Sequence, residues 1–350
     1  MGRRRQSVTI RHVAADAGVS LQTVSRVINE EPNVRPEMKQ RVRSSIDKLG
    51  YVPSIAAQRL SGSRSYLILA LNDRERTISD WRERLGTDWV DQMLLGGMLK
   101  CAEHGYRLMF ELVDTHDDHI ERELRGTIAA LQPDGVILTP PHSENPQITN
   151  LLEEAGIVFA RIGSIEPGHG IALAMNDEGA AAVATRHLSE LGHKRIGLIA
   201  GSREYSLSDR RTAGWRAEMK RQGLPIDGLL AEGDFSYESG EGATVRLLDQ
   251  PNPPTAIIAS NDRMALAALS VARDRGLEVP ANLSLISFDN TPVVRFTQPP
   301  LTAIDQPVAE TAAVAVEMII RSLRGDVVEQ PLLLDASLIE RQSTAPPGDI

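Results

Sequence analysis

Apolar runs of strand length recur along most of the chain: YLILAL (66–71), RLMFELV (107–113), GVILTP (135–140), IVFARI (157–162), RIGLIA (195–200), TAIIAS (255–260) and LSLISF (283–288). Segments with helical periodicity lie between them. A strand that is apolar along its whole length, rather than at every second position, must be covered on both faces, and the intervening helices supply the cover. The pattern therefore predicts parallel sheets in an α/β layer architecture. Helices are expected near Asp88–His104, His116–Leu131, Asn145–Glu154, Asp177–Leu191, Asp209–Arg221, Tyr237–Leu248 and Asp262–Arg275. A last helix, Pro307–Leu323, precedes strand-like segments at Gln330–Leu334 and Ser337–Arg341. So many strands exceed one comfortable sheet. A break near Met175–Asp177 divides them into two similar doubly wound α/β subdomains with a cleft between. Ligands bind such folds at the carboxyl ends of the strands.

The opening of the chain reads differently. In TIRHVAADAGVSLQTVSRVIN (9–29), Ile10, Val13, Ala14 and Ala17 form one helical stripe with Thr9 placed as its N-cap. Gly18 stands where a helix ends in a left-handed conformation, and Ser20 is a good N-cap for the next helix. There Val24, Val27 and Ile28 face inward while Gln22, Ser25, Arg26 and Asn29 share the opposite face. Glutamine pairs bidentately with adenine and arginine with guanine, and a helix fits the DNA major groove. A small helical hairpin with a solvated polar face has the same alternation, and periodicity does not choose between the two. A third helix is expected from Pro36 to Leu49, with Met38, Val42, Ile46 and Leu49 inward and Lys39, Arg41, Arg43 and Lys48 outward. Gly50-Tyr51-Val52-Pro53 then breaks the pattern. The following SIAAQRLSGSRS has room for two helical turns, too short to hold without a partner.

Charge supports a nucleic-acid partner for the head only. Over 350 residues the net charge is −9, but residues 1–64 carry 12 Lys and Arg against 5 Asp and Glu, a net +7, leaving 26 against 42, or −16, for the rest. Cys101 is the sole cysteine, which excludes an intramolecular disulfide or a cysteine metal cluster, and no cofactor is expected. Arg3, Arg4 and Arg5 are not followed by an apolar signal-peptide core, and no apolar run reaches a membrane-spanning length. The expected compartment is the cytoplasm.

These motifs together resemble a known family. VTIRHVAADAGVSLQTVSRVIN, PEMKQRV and LGYVPSIAAQRL are similar to the DNA-binding headpiece and hinge of the lactose-repressor (LacI/GalR) family of bacterial regulators. HLSELGHKRIGLIAG, PPTAIIASNDRMALAAL, VPANLSLISFDN and PPLTAIDQP extend the resemblance to about Arg341. It implies a helix-turn-helix headpiece (1–50), a hinge helix or linker (51–64), an effector-binding and dimerisation core (65–341) and a flexible tail (342–350). Within the core, which resembles periplasmic sugar-binding proteins, it implies one subdomain of about 65–174 plus a late return segment. The other is about 177–302 plus the C-terminal strands.

Carried over position by position, the resemblance places Leu21, Gln22 and Arg26 at base edges, and Thr9, Ser20, Thr23, Ser25 and Asn33 at phosphates, to which Arg35, a departure from the family, is expected to add a contact of its own. It makes Ser54, Ala57 and Leu60 the minor-groove hinge, with Leu60 as an apolar wedge. Arg211, Asn261 and Asp289 match positions lining the effector cleft, and Asp73 and Arg161 are candidates by position at strand ends. An arginine, an amide and a carboxylate together suit the hydroxyl pairs of a sugar. The sequence departs from the family at His12, where Asp is usual, at Arg35, where a small capping residue is usual, and at Ser54, where Asn is usual. The usual aspartate of the fourth core strand is missing, since Arg161 and Gly163 stand there.

The resemblance implies sequence-specific DNA-binding transcriptional regulation, with repression of a catabolic operon as the expected form. A small effector, most simply a sugar or sugar derivative, would control a homodimer on a pseudo-palindromic operator. Two other classes share the core fold. An α/β enzyme would need a nucleotide loop or nucleophile elbow, and no G-x-G-x-x-G, Walker loop or G-x-S-x-G is present. A solute-binding protein of a transport system would need export and has no use for a basic head.

Overall fold

The computed structural model of the chain describes residues 8–28, 33–51, 64–84, 88–114 and 119–348. It divides into two units, Met1–Tyr66 and Leu67–Ile350. Asn29, Ser54, Ala57, Leu60 and the expected helix start at His116 lie outside the described residues.

In the first unit α1 (Ile10–Ala17), α2 (Leu21–Ile28) and α3 (Pro36–Leu49) enclose Val13, Ala14, Ala17, Val24, Val27, Val34, Val42 and Tyr51. Gly18 ends α1 at φ 63°. The backbone conformation is what calls for glycine, since the atom a Cβ would meet, Arg41 Nη2 at 2.8 Å, is the end of a flexible side chain that can move aside. Arg41, exposed as expected, also donates to the Ala17 carbonyl at 2.5 Å and satisfies a terminal acceptor of α1. Lys48 pairs with Asp16 at 2.7 Å, fastening α3 to α1.

In the second unit β1 (Leu67–Asp73), α4 (Arg74–Glu83), α5 (Asp88–Glu103), β2 (Arg107–Val113), α6 (Ile120–Leu131), β3 (Gly135–Leu138), α7 (Pro146–Glu154), β4 (Val158–Ile162) and β5 (Ile171–Met175) come first. They are followed by α8 (Asp177–Glu190), β6 (Ile196–Ala200), α9 (Ser206–Arg221), β7 (Leu230–Glu232), α10 (Tyr237–Leu248), β8 (Ala256–Ala259), α11 (Asp262–Asp274), β9 (Ser284–Asp289) and β10 (Thr302–Asp305). The chain closes with α12 (Val308–Leu323), β11 (Leu332–Leu334) and β12 (Ser337–Ile339). Two six-stranded sheets result, ordered β11-β5-β4-β3-β1-β2 and β12-β10-β9-β8-β6-β7. All pairings are parallel except β12 on β10. The chain changes sheet after β5, after β10 and after β11, and the expected break near Met175–Asp177 is the first of these crossings. β1 and β6 are buried along their whole length, as continuous apolar runs require. The helix-turn-helix head and the doubly wound α/β core bear out the fold class expected from the sequence.

Some elements differ from expectation. Strands Ile171–Met175, Leu230–Glu232 and Thr302–Asp305 were not anticipated, because runs this short and alanine-rich carry little periodic signal. Helix α4 (RERTISDWRE) has no apolar stripe and buries only Thr77; its start is set by Asp73, whose carboxylate accepts from Arg76 N at 2.7 Å. Helix α9 begins at Ser206, ahead of Asp209. The two last strands are shorter than expected: β11 begins at Leu332 and ends at Leu334 as expected, and β12 ends sooner, at Ile339. Among the described residues no helix is long and apolar enough to cross a membrane. Cys101 is a buried free thiol in α5, its pKa pushed up to about 12 by burial, and so unreactive.

Candidate nucleic-acid interface and interlobe cleft

The headpiece presents one helix face. Val24 and Val27 anchor α2 in the core, which leaves Leu21, Gln22 and Arg26 exposed. Ser20 caps α2, its Oγ accepting from Thr23 N at 3.1 Å and lying 2.9 Å from the Thr23 hydroxyl. Thr9 N–H donates to His12 Nδ1 at 3.0 Å, so His12 takes the reciprocal place in a capping box. An unprotonated ring nitrogen thereby does what a carboxylate would do at that position. Arg35 is the N-cap of α3 but makes no side-chain capping bond, and it is exposed together with Thr9 and Asn33. Thr23 and Ser25 are half-buried. On α2, held rigid from behind, the exposed groups are thus the donors and acceptors of Gln22 and Arg26 beside the apolar Leu21, and Thr9, Asn33 and Arg35 flank them with further polar groups of the kinds that meet phosphates.

In the core, the carboxyl ends of both sheets face a common cleft. Arg211 reaches it from α9, 2% exposed. Its Nε donates to Asp177 Oδ1 at 2.8 Å and its Nη1 to the Ser260 carbonyl at 2.5 Å. The guanidinium carbon lies 4.4 Å from the centre of the Phe288 ring. Asn261 caps α11, accepting from Met264 N at 2.9 Å and donating to the Phe235 carbonyl at 2.9 Å. Asp289 ends β9 at φ 97°, a left-handed strain in a non-glycine residue, and accepts from Gln306 Nε2. Burial pushes its pKa up even with Arg211 nearby.

Asp262 belongs to the same cluster and had no sequence signal beyond standing next to Asn261. It is 3% exposed. Its Oδ2 accepts from Thr291 N at 2.7 Å. Burial first, then the charge of Asp289, raises its pKa to about 7. Asp73 lies across the cleft as the cap of α4. Arg161 is not brought to this cluster: its Nη1 donates to Ser164 Oγ at 3.1 Å and its Nη2 to the Glu166 carbonyl at 2.6 Å, within its own loop.

Direct contacts join the lobes. Arg263 of α11 pairs with Asp80 of α4 at 2.9 Å, Arg210 Nη2 donates to the Gly163 carbonyl at 2.6 Å, and Ser206 Oγ donates to Glu144 at 2.9 Å. Arg76 Nη1 donates to the Tyr205 hydroxyl at 3.2 Å. Beside these contacts, a cavity of about 10 Å³ lies between Pro140, Gly163 and Glu204–Leu207, room for a water at most. Sequence reasoning missed Arg76, Tyr205 and Phe235: Arg76 sits on the helix without an apolar stripe, and the two aromatics fall in loops. His193, outside the cleft, is buried against Thr255, Ser284 and the Ala345 carbonyl, a packing role.

Comparison with known proteins agrees with both parts. Residues 9–54 match the model described as bacterial regulatory proteins, lacI family, and residues 185–344 match a periplasmic binding protein-like domain. The chain is 32% identical over 346 residues to the HTH-type transcriptional repressor CytR of Escherichia coli strain K12, covering 98% of each. The structure of the lac repressor dimer bound to operator and the anti-inducer ONPF is similar with a TM-score of 0.75 and 26% identity, covering 97% of this chain and 100% of that one. The CelR–cellobiose complex is similar with a TM-score of 0.71 and 29% identity, covering 96% of this chain and 99% of that one. The relatives are transcriptional regulators, not enzymes. With a matching headpiece, a matching core and a relative similar over nearly its whole length, the chain belongs to the lacI family of bacterial regulatory proteins and is a DNA-binding transcriptional regulator.

Proposed function

We propose that this regulator acts in the cytoplasm as a homodimeric repressor, released or engaged by a sugar or sugar derivative bound between the core lobes. The observation that carries the reading is the exposed row Leu21, Gln22 and Arg26 on a helix whose other face is locked into a basic headpiece. These residues read bases in the major groove, while Thr9, Ser20, Thr23, Ser25, Asn33 and Arg35 set register on phosphates. Ser54, Ala57 and Leu60 engage the minor groove at the operator centre.

Arg211, Asn261, Asp289 and Asp73 line the effector site, and Arg161 orders the loop beside it. A solved relative holds cellobiose and another holds operator DNA, which supports a carbohydrate and a palindromic site for this chain as well. The dimer contact draws on α5, which exposes Leu95, Met98 and Leu99 at 49%, 55% and 60%.

Binding to DNA from upstream of its own gene, measured at rising salt, tests the reading. Affinity falls steeply between about 50 and 200 mM salt for a protein with several phosphate contacts. Salt-independent binding contradicts it. Replacing Gln22 changes base preference, with a penalty of about 1–3 kcal/mol confined to one position of each half-site.

A further inference from the structure

Arg76 differs from the other arginines around the cleft in what holds it. It stands in the first turn of α4, at the carboxyl end of β1, and its side chain crosses to the opposite lobe. There the guanidinium carbon lies 5.3 Å from the centre of the Tyr205 ring and 5.4 Å from that of Phe235. The two rings meet edge to face, centres 5.7 Å apart at 81°. Among the described residues, the side chain of Arg76 makes one hydrogen bond, to the Tyr205 hydroxyl.

Its neighbours are anchored otherwise: Arg211 to Asp177, Arg210 to the Gly163 carbonyl with Asp177 at 3.6 Å, and Arg263 to Asp80. The carboxylates nearest in effect, Asp80 and Asp289, act on Arg76 only at longer range. Asp80 is paired with Arg263, and Asp289 accepts from Gln306 and from the backbone of Asp262. The cleft thus contains a planar cation stacked on aromatic rings, with most of its donors uncommitted and no carboxylate in direct contact among the described residues.

We infer that Arg76 reads an anionic group of the effector, so that this regulator answers to an acidic sugar derivative, a sugar acid or sugar phosphate, in preference to a neutral sugar. This rests on the reading of the cleft as the effector site. A guanidinium presents a planar fork that matches a carboxylate or phosphate bidentately. Lobes closing over an uncompensated charge lose hydration that neutral hydroxyls only partly restore, whereas an anion restores it and adds its own attraction. Tyr205 and Phe235 hold the fork in place and offer faces to the apolar side of a sugar ring.

The test is a calorimetric and thermal-shift panel on the full-length protein with matched sets: neutral hexoses, pentoses and cellobiose; the corresponding uronic and aldonic acids; and the hexose 6-phosphates. Inorganic phosphate serves as a probe of the anion site alone. Wild type, Arg76→Ala and Arg76→Lys are compared after far-UV circular dichroism has shown each to be folded. The expected result is binding in the acid or the phosphate arm that is at least about tenfold tighter than for the neutral parent. That preference disappears in Arg76→Ala and is partly kept in Arg76→Lys, which retains charge without the fork. The arm that binds identifies carboxylate or phosphate as the group read. A neutral sugar that binds as tightly as its acid, or an acid whose binding does not depend on Arg76, overturns the inference while leaving the cleft as the effector site. No binding in any arm overturns the sugar-effector reading and this inference with it.

Discussion

Arg211 shows how one side chain can hold a site together and belong to it. Replacing it by alanine strands the nearly buried Asp177 with only Arg210 at 3.6 Å. Arg211→Ala is therefore expected to lower core stability by about 3–5 kcal/mol in urea denaturation, besides abolishing the effector response. A variant that loses only the response would show that Asp177 finds another partner. Asp262 gives a pH prediction. Its pKa rises from 3.8 to about 7 in the folded protein, so folding favours the protonated acid. Its contribution is present below about pH 4 and is lost as pH climbs through 7. Asp262→Asn stays neutral and keeps an acceptor for Thr291 N. The stability of the variant relative to wild type should therefore improve by on the order of a few kcal/mol between about pH 4 and 7, then level off. Calorimetric melting across that range checks it, and a constant difference would contradict it.

At the scale of elements, helix α3 lacks a working cap because Arg35 stands at its N-cap position without a side-chain bond. Arg35→Ser is expected to stabilise the headpiece by about 0.5–2 kcal/mol. If Arg35 also touches phosphate, the same change weakens binding to all DNA sequences alike and lowers the salt slope by about 1. Opposite signs for stability and affinity are the signature to measure. In the core, α5 and α12 approach at Gly96, where a Cβ would fall 1.8 Å from the Ala309 carbonyl oxygen. Since backbone cannot yield as a side chain can, Gly96→Val should force the helices apart and destabilise the core by several kcal/mol in thermal melting. The helices and long strands were legible because continuous apolar runs and helical stripes are local patterns. Helix α4 was not, since it rests on the Asp73 cap and on contacts made across the cleft.

At the scale of the molecule, the exposed Leu95, Met98 and Leu99 face of α5 is the surface whose burial a dimer would gain. Leu99 is 60% exposed, so Leu99→Asp costs little within one subunit. It should shift sedimentation toward the monomer and reduce operator affinity, because two headpieces on one palindrome depend on the two-fold. An unchanged dimer would place the interface elsewhere.

The amino-acid sequence by itself determined the class of fold, the basic head on an acidic body and the polar face of the second helix with Gln22, Ser25 and Arg26, because periodicity, charge and turn chemistry are written in neighbouring residues; the row Leu21, Gln22 and Arg26 came from the family resemblance. The candidate effector residues Arg211, Asn261 and Asp289 were named from motif positions, but their partners were not visible there. Only the tertiary structure decided that Asp262 joins Asp289, that Arg161 turns into its own loop, and that Arg76 crosses to Tyr205 and Phe235. Each of these contacts depends on where strands far apart in the chain end in space. Sheet order sets that placement, and no local pattern encodes which strand ends will face each other.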